Sequence, residues 1–350
     1  MQAKLRNNTD RWAVILAGGD GTRLQPLTRV ISGDDRPKQF CSLFGGPTLL
    51  ERTKHRVAQL LPVEQTLTVV TQTHEAFYKP WQESKARVQL LVQPKNCGTA
   101  PAILLSLLRI IQHSPTATVA FFPSDHYIAN ESLFMSHVES AFFEAQRHPN
   151  MIVLLGVKPD TPETQYGWIE PEISLWQQSP AVFGVRRFWE KPPAIIAPRL
   201  MRQGCLWNSF VMTGRAGAFL QLTRRALPEL CQSLSEITSV LGTGEEQTAL
   251  QQVYSTIQPA NFSSEVLACW PNYLLVHPVS GVGWCDLGEP GRALSALQRS
   301  GLESLPIAGK DENRHRASIT YLRDYFEGIS LARKFERNED SGTAIGVQGD

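Results

Sequence analysis

The stretch Trp12-Ala-Val-Ile-Leu-Ala-Gly-Gly-Asp-Gly-Thr-Arg-Leu24, followed downstream by Arg36-Pro-Lys-Gln-Phe40, decides how the rest of the chain is read. An apolar run of six residues ends abruptly in Gly18, Gly19 and Gly21, the pattern of a buried strand entering a glycine-rich turn. Glycines there can take φ > 0 and let backbone N–H groups approach an anion without a Cβ in the way. Arg23 and Lys38 add countercharge, so the stretch reads as a phosphate cradle with two cations. The bland alternative is a strand-to-helix turn with spare glycines. A Walker loop is excluded, because the residue five beyond Gly18 is Arg23 and no Gly-Lys-Ser/Thr follows. A dinucleotide fingerprint is excluded as well, because Gly19 and Gly21 are followed by Leu24 where a third glycine is required.

Working outward, the composition sets bounds. The chain has 350 residues, 42% of them hydrophobic, and a formal net charge of +1. That is enough for a substantial core in one large or two modest domains. Near-neutrality gives no reason to expect a nucleic-acid or membrane surface, and small charged ligands fit better than polyanions. Cys41, Cys97, Cys205, Cys231, Cys269 and Cys285 are scattered without metal-ligand spacing, as in a reduced, cytosolic protein. The first ten residues contain no apolar signal segment, and no run approaches a membrane span, so a cytoplasmic location is expected.

From residue 12 to about 157, short apolar runs alternate with amphipathic segments. Strands are expected at Trp12 to Ala17, Leu67 to Thr71, Val88 to Val92, Val119 to Phe122 and Ile152 to Val157. Helices are expected at Pro47 to Leu61, Ala100 to Gln112 and Leu133 to Arg147. This predicts a Rossmann-like α/β fold with a doubly wound sheet, whose ligands bind outside the carboxyl ends of the strands. Beyond Val157 the rhythm turns to Pro- and Gly-rich turns around short strands, at Gly167 to Glu170 and Val185 to Trp189, read as an acceptor-side lobe. Helices at Gly217 to Leu230 and Glu245 to Ile257 and a strand at Asn272 to Val276 follow. The expected organisation is an N-terminal extension (1–11), a main domain (12–295) with halves dividing near 157, and a C-terminal extension (296–338). A single helix is expected from about Arg314 to Arg337, and 339–350 reads as a disordered tail.

Motifs then recur in order: Leu16 to Leu24, Pro37 to Phe40, Gly98-Thr-Ala-Pro-Ala102, Pro123-Ser-Asp-His126 and Pro162 to Glu170. Phe188-Trp-Glu-Lys-Pro192, Trp207-Asn-Ser209 and Gly283-Trp-Cys-Asp-Leu-Gly288 complete the set. Each is weak alone; their ordered co-occurrence resembles the sugar-phosphate nucleotidyltransferases, closest to the mannose-1-phosphate guanylyltransferases. The resemblance covers about residues 12 to 295. It implies a mixed doubly wound sheet and transfer of GMP from GTP to mannose 1-phosphate, with pyrophosphate released by in-line attack and no covalent intermediate. Other sugar 1-phosphates or nucleoside triphosphates, or a non-catalytic regulatory homologue, remain alternatives. A homodimer is left open.

The site residues follow from that resemblance. Arg23, Lys38 and Asp125 are the expected catalytic set. Leu16, Gly18, Gly19, Gly21, Thr22, Gln93, Gly98 and Thr99 are the expected nucleotide contacts. Gly167, Glu190, Lys191 and Asn208 are the expected sugar-phosphate contacts. Asp125 and Asp286 are the expected ligands of Mg²⁺, a cation that needs few protein carboxylates because it keeps waters and takes phosphate oxygens. Read without the family, the aspartates would be cap or turn residues and Gln93 an ordinary polar strand end. His126 is expected to act structurally, since the attacking phosphate oxygen is already ionised and needs no base. Four departures from the family stand out. Phe210 follows Trp207-Asn-Ser209 where glycine is usual. Cys97 replaces a common arginine. Phe262 to Glu265 lack the usual Ser-Ile-Asp-Tyr, and Cys285 stands where a small residue is usual.

Overall fold

The computed structural model describes residues 10–83, 89–172, 182–307, 315–326 and 328. Two compact units emerge: the chain up to Asp20 together with Leu50–Trp284, and Gly21–Leu49 together with the chain from Cys285 onward.

The first unit is built on a sheet. Its strands are β1 (Arg11–Leu16), β2 (Thr66–Thr71), β3 (Gln89–Gln93), β4 (Thr118–Pro123), the two-residue β5 (Tyr127–Ile128), β6 (Ile152–Val157), β7 (Gly167–Glu172), β8 (Phe183–Glu190), β9 (Leu206–Arg215) and β10 (Leu274–Val279). All except β5 join one nine-stranded sheet in the order β3-β2-β1-β4-β9-β6-β10-β8-β7. β1, β2, β3 and β4 are mutually parallel along this order, and β6 runs parallel to β10. β9 is antiparallel to both β4 and β6, and β7, β8 and β10 continue the sheet antiparallel. The sheet is therefore mixed. Every residue of β2, β4 and β6 is buried, which explains why β4 and β6 read as nearly continuous apolar runs rather than alternating ones.

Helix Thr99–His113 packs a mostly buried surface into the core, where Phe121 on β4 meets Phe219 edge-on at 5.0 Å between ring centres. The expected helix from Gly217 to Leu230 is in fact two, Ala216–Ala226 and Pro228–Ser235. Pro228 is the reason: it drives Leu227 out of the helical region, to φ −134° and ψ 64°. Among the described residues no helix is long and apolar enough to cross a membrane.

The second unit carries the helices Gln25–Ser32 and Pro290–Arg299 and an antiparallel strand pair, Ser304–Ile307 with His315–Ser318. This corrects the single helix expected from Arg314. Residues 315–318 commit their backbone groups to the ladder, with Ala317 and Leu305 buried opposite each other, and among the described residues of this segment helix is found over 319–326 and at 328. The tail expected to be disordered, 339–350, lies outside the described residues, as does Val88.

Candidate functional site

In the first unit the glycine turn leaves β1 at the carboxyl ends of β1, β2 and β3, and each strand contributes to holding it. Leu16 closes β1, and Ala17 donates its N–H to Val69 O at 2.8 Å. Thr71, the last residue of β2, donates its hydroxyl to Gly18 O at 2.9 Å. A Cβ on Gly18 would lie 2.8 Å from Thr71 Oγ1 and 2.9 Å from Gln93 Nε2, so the position admits only glycine without displacement. A Cβ on Gly19, in contrast, would enter open space. Asp20 is tied from two sides, by His74 Nε2 at 3.1 Å and by Asn96 Nδ2 at 3.0 Å. Asn96 Oδ1 also accepts from Gly98 N–H at 3.0 Å, which links the turn after β1 to the turn after β3. Burial holds the His74 imidazole below its ordinary value although Asp20 pulls the other way.

Gly98 has φ +85°, a conformation that L side chains rarely adopt, and a Cβ there would stand 2.4 Å from Ala260 O. The segment around Ala260 pairs with this turn: Ala260 donates to Cys97 O and receives from Ala100 N–H, both at 3.0 Å. Thr99 Oγ1 accepts from Phe262 N–H at 2.8 Å. Thr99, expected as a base contact, thus has a structural hydrogen bond of its own. Cys97 is buried, and burial pushes its thiol up.

Asp125 follows β4 with its carboxylate partly exposed, 3.8 Å from His126 Nε2. His126 Nδ1 lies 3.2 Å from Trp284 Nε1, an indole that can only donate, so Nδ1 is the acceptor and Nε2 carries the proton in the neutral ring. Trp284 packs edge-on against His126 and Tyr166, at 5.3 and 5.1 Å, and Tyr166 packs on Trp207 at 5.0 Å. His126 therefore belongs to an aromatic wall beside Asp125.

Gly167 and Glu190 are register partners of β7 and β8, and Asn208 on β9 is adjacent. A Cβ on Gly167 would meet Glu190 Oε2 at 3.2 Å and Asn208 Cβ at 3.3 Å, so the fold brings these three expected sugar contacts together. Burial raises the Glu190 carboxyl above its ordinary value, partly offset by Lys191 at 3.9 Å. Lys191 is exposed with φ 46°; Phe210, two residues past Asn208, has φ 59°. The family's glycine at that position now has a physical reason. Asn208 Oδ1 accepts from Phe210 N–H at 3.1 Å and Ser209 donates to Leu155 O at 2.7 Å, opposite a register shift between Leu154 and Gly156.

In the second unit Gly21 adopts φ 62°, and a Cβ there would lie 3.1 Å from Lys38 N. Thr22 and Arg23 form the exposed part of the short 3₁₀ turn Thr22–Leu24. Lys38 is buried and donates Nζ to Asp286 O at 2.7 Å and to Leu287 O at 3.4 Å. This cation therefore also pins the turn that carries Asp286. Asp286 Oδ1 accepts from Gly288 N–H at 2.8 Å and lies 3.6 Å from Arg292 Nε. A Cβ on Gly288 would sit 2.6 Å from Asp286 Oδ2 and 2.7 Å from Arg292 Nη2, so any other residue there would displace both side chains. Burial pushes the neighbouring Cys285 thiol up and keeps it protonated.

Among the described residues no three His, Cys, Asp or Glu side chains cluster as a metal cage. Asp125 and Asp286 each offer hard carboxylate oxygens of the kind Mg²⁺ takes in ones and twos. They fit that cation individually, with the Asp286 charge shared with Arg292. Sequence reasoning missed His74, Asn96 and Arg292, and Tyr254, whose hydroxyl donates to Gln93 Oε1 at 2.9 Å. The only signal was local: His74 and Asn96 each stand a few residues past an apolar run, where a strand's carboxyl end falls.

The pattern of the nucleotidyl transferase family matches residues 12–300. The mannose-1-phosphate guanylyltransferase of Escherichia coli (strain K12) is 32% identical over 236 residues, 66% of this chain and 48% of that protein. The xanthan biosynthesis protein XanB of Xanthomonas campestris pv. campestris (strain ATCC 33913) is 28% identical over 298 residues, 84% of this chain and 61% of that protein. The chain thus spans about half to three fifths of the length of these relatives. A crystal structure described as mannose-1-phosphate geranyltransferase from Thermus thermophilus superposes with a TM-score of 0.73 at 24% identity, covering 93% of this chain and all of that one. At that identity the likeness speaks for the fold, a mixed α/β protein with a central mixed sheet. The family match extends over most of the sequence, including every motif from Leu16 to Gly288, and the chain belongs to the nucleotidyl transferase family.

Proposed function

We propose that this chain transfers GMP from GTP to mannose 1-phosphate, giving GDP-mannose and pyrophosphate. The observation that carries this reading is the Gly18–Asp20 turn at the carboxyl ends of β1 to β3, braced by Thr71, His74 and Asn96 and flanked by Gln93. Such a turn suits a ligand rich in phosphate. The names of relatives at 28–32% identity support the choice of guanine nucleotide and mannose.

Catalysis on this reading is positioning and charge stabilisation. An oxygen of the sugar phosphate attacks the α-phosphorus in line, and the attacking group is already ionised, so no general base is required. Arg23 and Lys38 offset charge on the triphosphate and on the leaving pyrophosphate. Gly18, Gly19, Gly21 and Thr22 line the triphosphate, while Leu16, Gln93, Gly98 and Thr99 hold the nucleoside. Glu190 and Asn208 orient sugar hydroxyls beside Gly167, where any side chain would crowd both, and Lys191 meets the sugar phosphate. Asp125 and Asp286 would each offer carboxylate oxygen to Mg²⁺, which supplies Lewis-acid neutralisation of phosphate charge when bound.

The test is pyrophosphate release from a matrix of sugar 1-phosphates and nucleoside triphosphates with Mg²⁺. Turnover highest with GTP and mannose 1-phosphate is expected. Highest turnover with another pair would reassign the substrates. Nucleotide binding without release in any cell of the matrix would make the chain a sensor and sink the catalytic reading.

A further inference from the structure

Gln93 ends β3 as a buried side chain, and a primary amide can present either its carbonyl or its NH₂ to a ligand, depending on a simple flip. One neighbour decides between the two. Tyr254, on helix Glu246–Thr256 and 1% exposed, places its hydroxyl 2.9 Å from Gln93 Oε1. A buried phenol needs an acceptor for its proton, and Oε1 provides one. With the amide reversed, the buried phenol would accept from Nε2 and its own proton would lose the Oε1 acceptor it has here, which leaves a buried donor to be satisfied elsewhere. Burial also pushes the Tyr254 phenol up, so it stays a donor. The amide is then fixed with Nε2 turned to the glycine turn, where a Cβ on Gly18 would come within 2.9 Å of it.

We propose that Tyr254 is a positioning residue that holds the Gln93 amide in one orientation, so that Nε2 meets the nucleobase as a donor and favours a base offering a carbonyl acceptor, such as the O6 edge of guanine. The proposal rests on the reading of Gln93 as a base contact and adds what orients it. Sequence separation hides the pairing, since the two residues lie 161 positions apart.

The experiment is equilibrium titration of GTP and ATP, with Mg²⁺, into the wild-type chain and into Tyr254→Phe, Gln93→Ala, Gln93→Glu and the double variant Tyr254→Phe/Gln93→Ala. Thermal melts check folding. Loss of one hydrogen bond that orients a donor predicts about a fivefold weakening for GTP in Tyr254→Phe, with ATP changed less. Gln93→Glu keeps an acceptor for the phenol but lacks the donor, and is expected to lose the GTP preference as Gln93→Ala does. In the double variant the tyrosine change should have no further effect. The proposal is overturned if Tyr254→Phe weakens GTP and ATP equally, if its effect persists in the Gln93→Ala background, or if Gln93→Glu keeps the preference. Unchanged GTP binding in Gln93→Ala would remove the base contact itself. Failure of the wild-type chain to bind any nucleoside triphosphate would instead overturn the proposed function, and this inference with it.

Discussion

Replacing Gly98 with alanine is expected to cost about 3–5 kcal/mol of stability, whereas the same change at Gly19 should be nearly silent. Both glycines sit in motifs that sequence reading treats alike, and the structure separates them. At Gly98 the backbone has φ +85° and ψ −173°, a region open essentially to glycine alone, so an L side chain costs of order 1–3 kcal/mol for the conformation alone. The new Cβ would also stand 2.4 Å from Ala260 O, a backbone atom that cannot rotate away. Relieving that contact separates the two segments and breaks the pairings of Ala260 N–H with Cys97 O and of Ala100 N–H with Ala260 O, each about 1 kcal/mol. At Gly19 nothing lies within 4 Å of the added atom and φ is not in the left-handed range, so the expected change is within about 0.5 kcal/mol. Urea unfolding followed by circular dichroism measures both variants, with a melting shift on the order of 10 °C expected for Gly98→Ala. Gly98→Ala unfolding within about 0.5 kcal/mol of wild type would refute the steric argument. So would a loss at Gly19 equal to that at Gly98.

The remaining predictions concern strain, protonation and the metal. Phe210 has φ 59°, so Phe210→Gly should be more stable than Phe210→Ala by about 1 kcal/mol, the reverse of the usual order; both lack the ring, and paired melts isolate the backbone term. His74 is held below its ordinary value, so the unfolded chain binds the proton more readily. Stability from this group is therefore complete above about pH 6.5 and lost as pH falls below it, and His74→Gln should show a smaller drop in urea midpoint between about pH 7.5 and about pH 5.5 than wild type. An equal drop would dismiss the role of His74. Asp125→Asn and Asp286→Asn should each lower kcat by about 100-fold; normal turnover of both at limiting Mg²⁺ would cancel the metal assignment.

Much of the fold is legible because parallel strands buried on both faces announce themselves. The apolar runs at Leu67, Val119 and Ile152 coincide with strands to within a residue or two, and the Gly167–Glu190 register pair joins two motifs that the sequence already singles out. β9 is not legible as a strand. Its Asn208 and Ser209 interrupt the apolar pattern, and only tertiary partners such as Leu155 O make those polar groups tolerable inside a sheet. The supports of the glycine turn are hidden for a related reason: His74, Asn96 and Tyr254 lie 54, 76 and 161 residues from the groups they hold. Local pattern singles out the expected contact residues; it carries no trace of the side chains that fix their orientation.

Backbone conformation adds a link between those motifs and chemistry. Among the described residues, the non-glycine positions with positive φ are Lys191, Phe210 and Leu287. One is an expected sugar-phosphate contact, one lies two residues past Asn208, and one directly follows Asp286. Each costs of order 1 kcal/mol or more and persists only where the surroundings over-determine it. Those surroundings are named: the Asn208 side-chain carbonyl holds Phe210 N–H, and the Leu287 backbone is gripped by Lys38 Nζ at its oxygen and Cys285 Sγ at its nitrogen. A core requires no such conformations. Their placement next to Glu190, Asn208 and Asp286 is what is expected where the chain must aim a carboxylate or an amide rather than merely pack it. The Lys38 contact makes the point most directly, because a cation first read as countercharge for phosphate also stabilises the strained turn on which Asp286 depends. Loss of Lys38 should therefore disturb the Asp286 turn as well as the charge balance, and Lys38→Met, which keeps the length and loses the donors, should lower the melting temperature even with no ligand present.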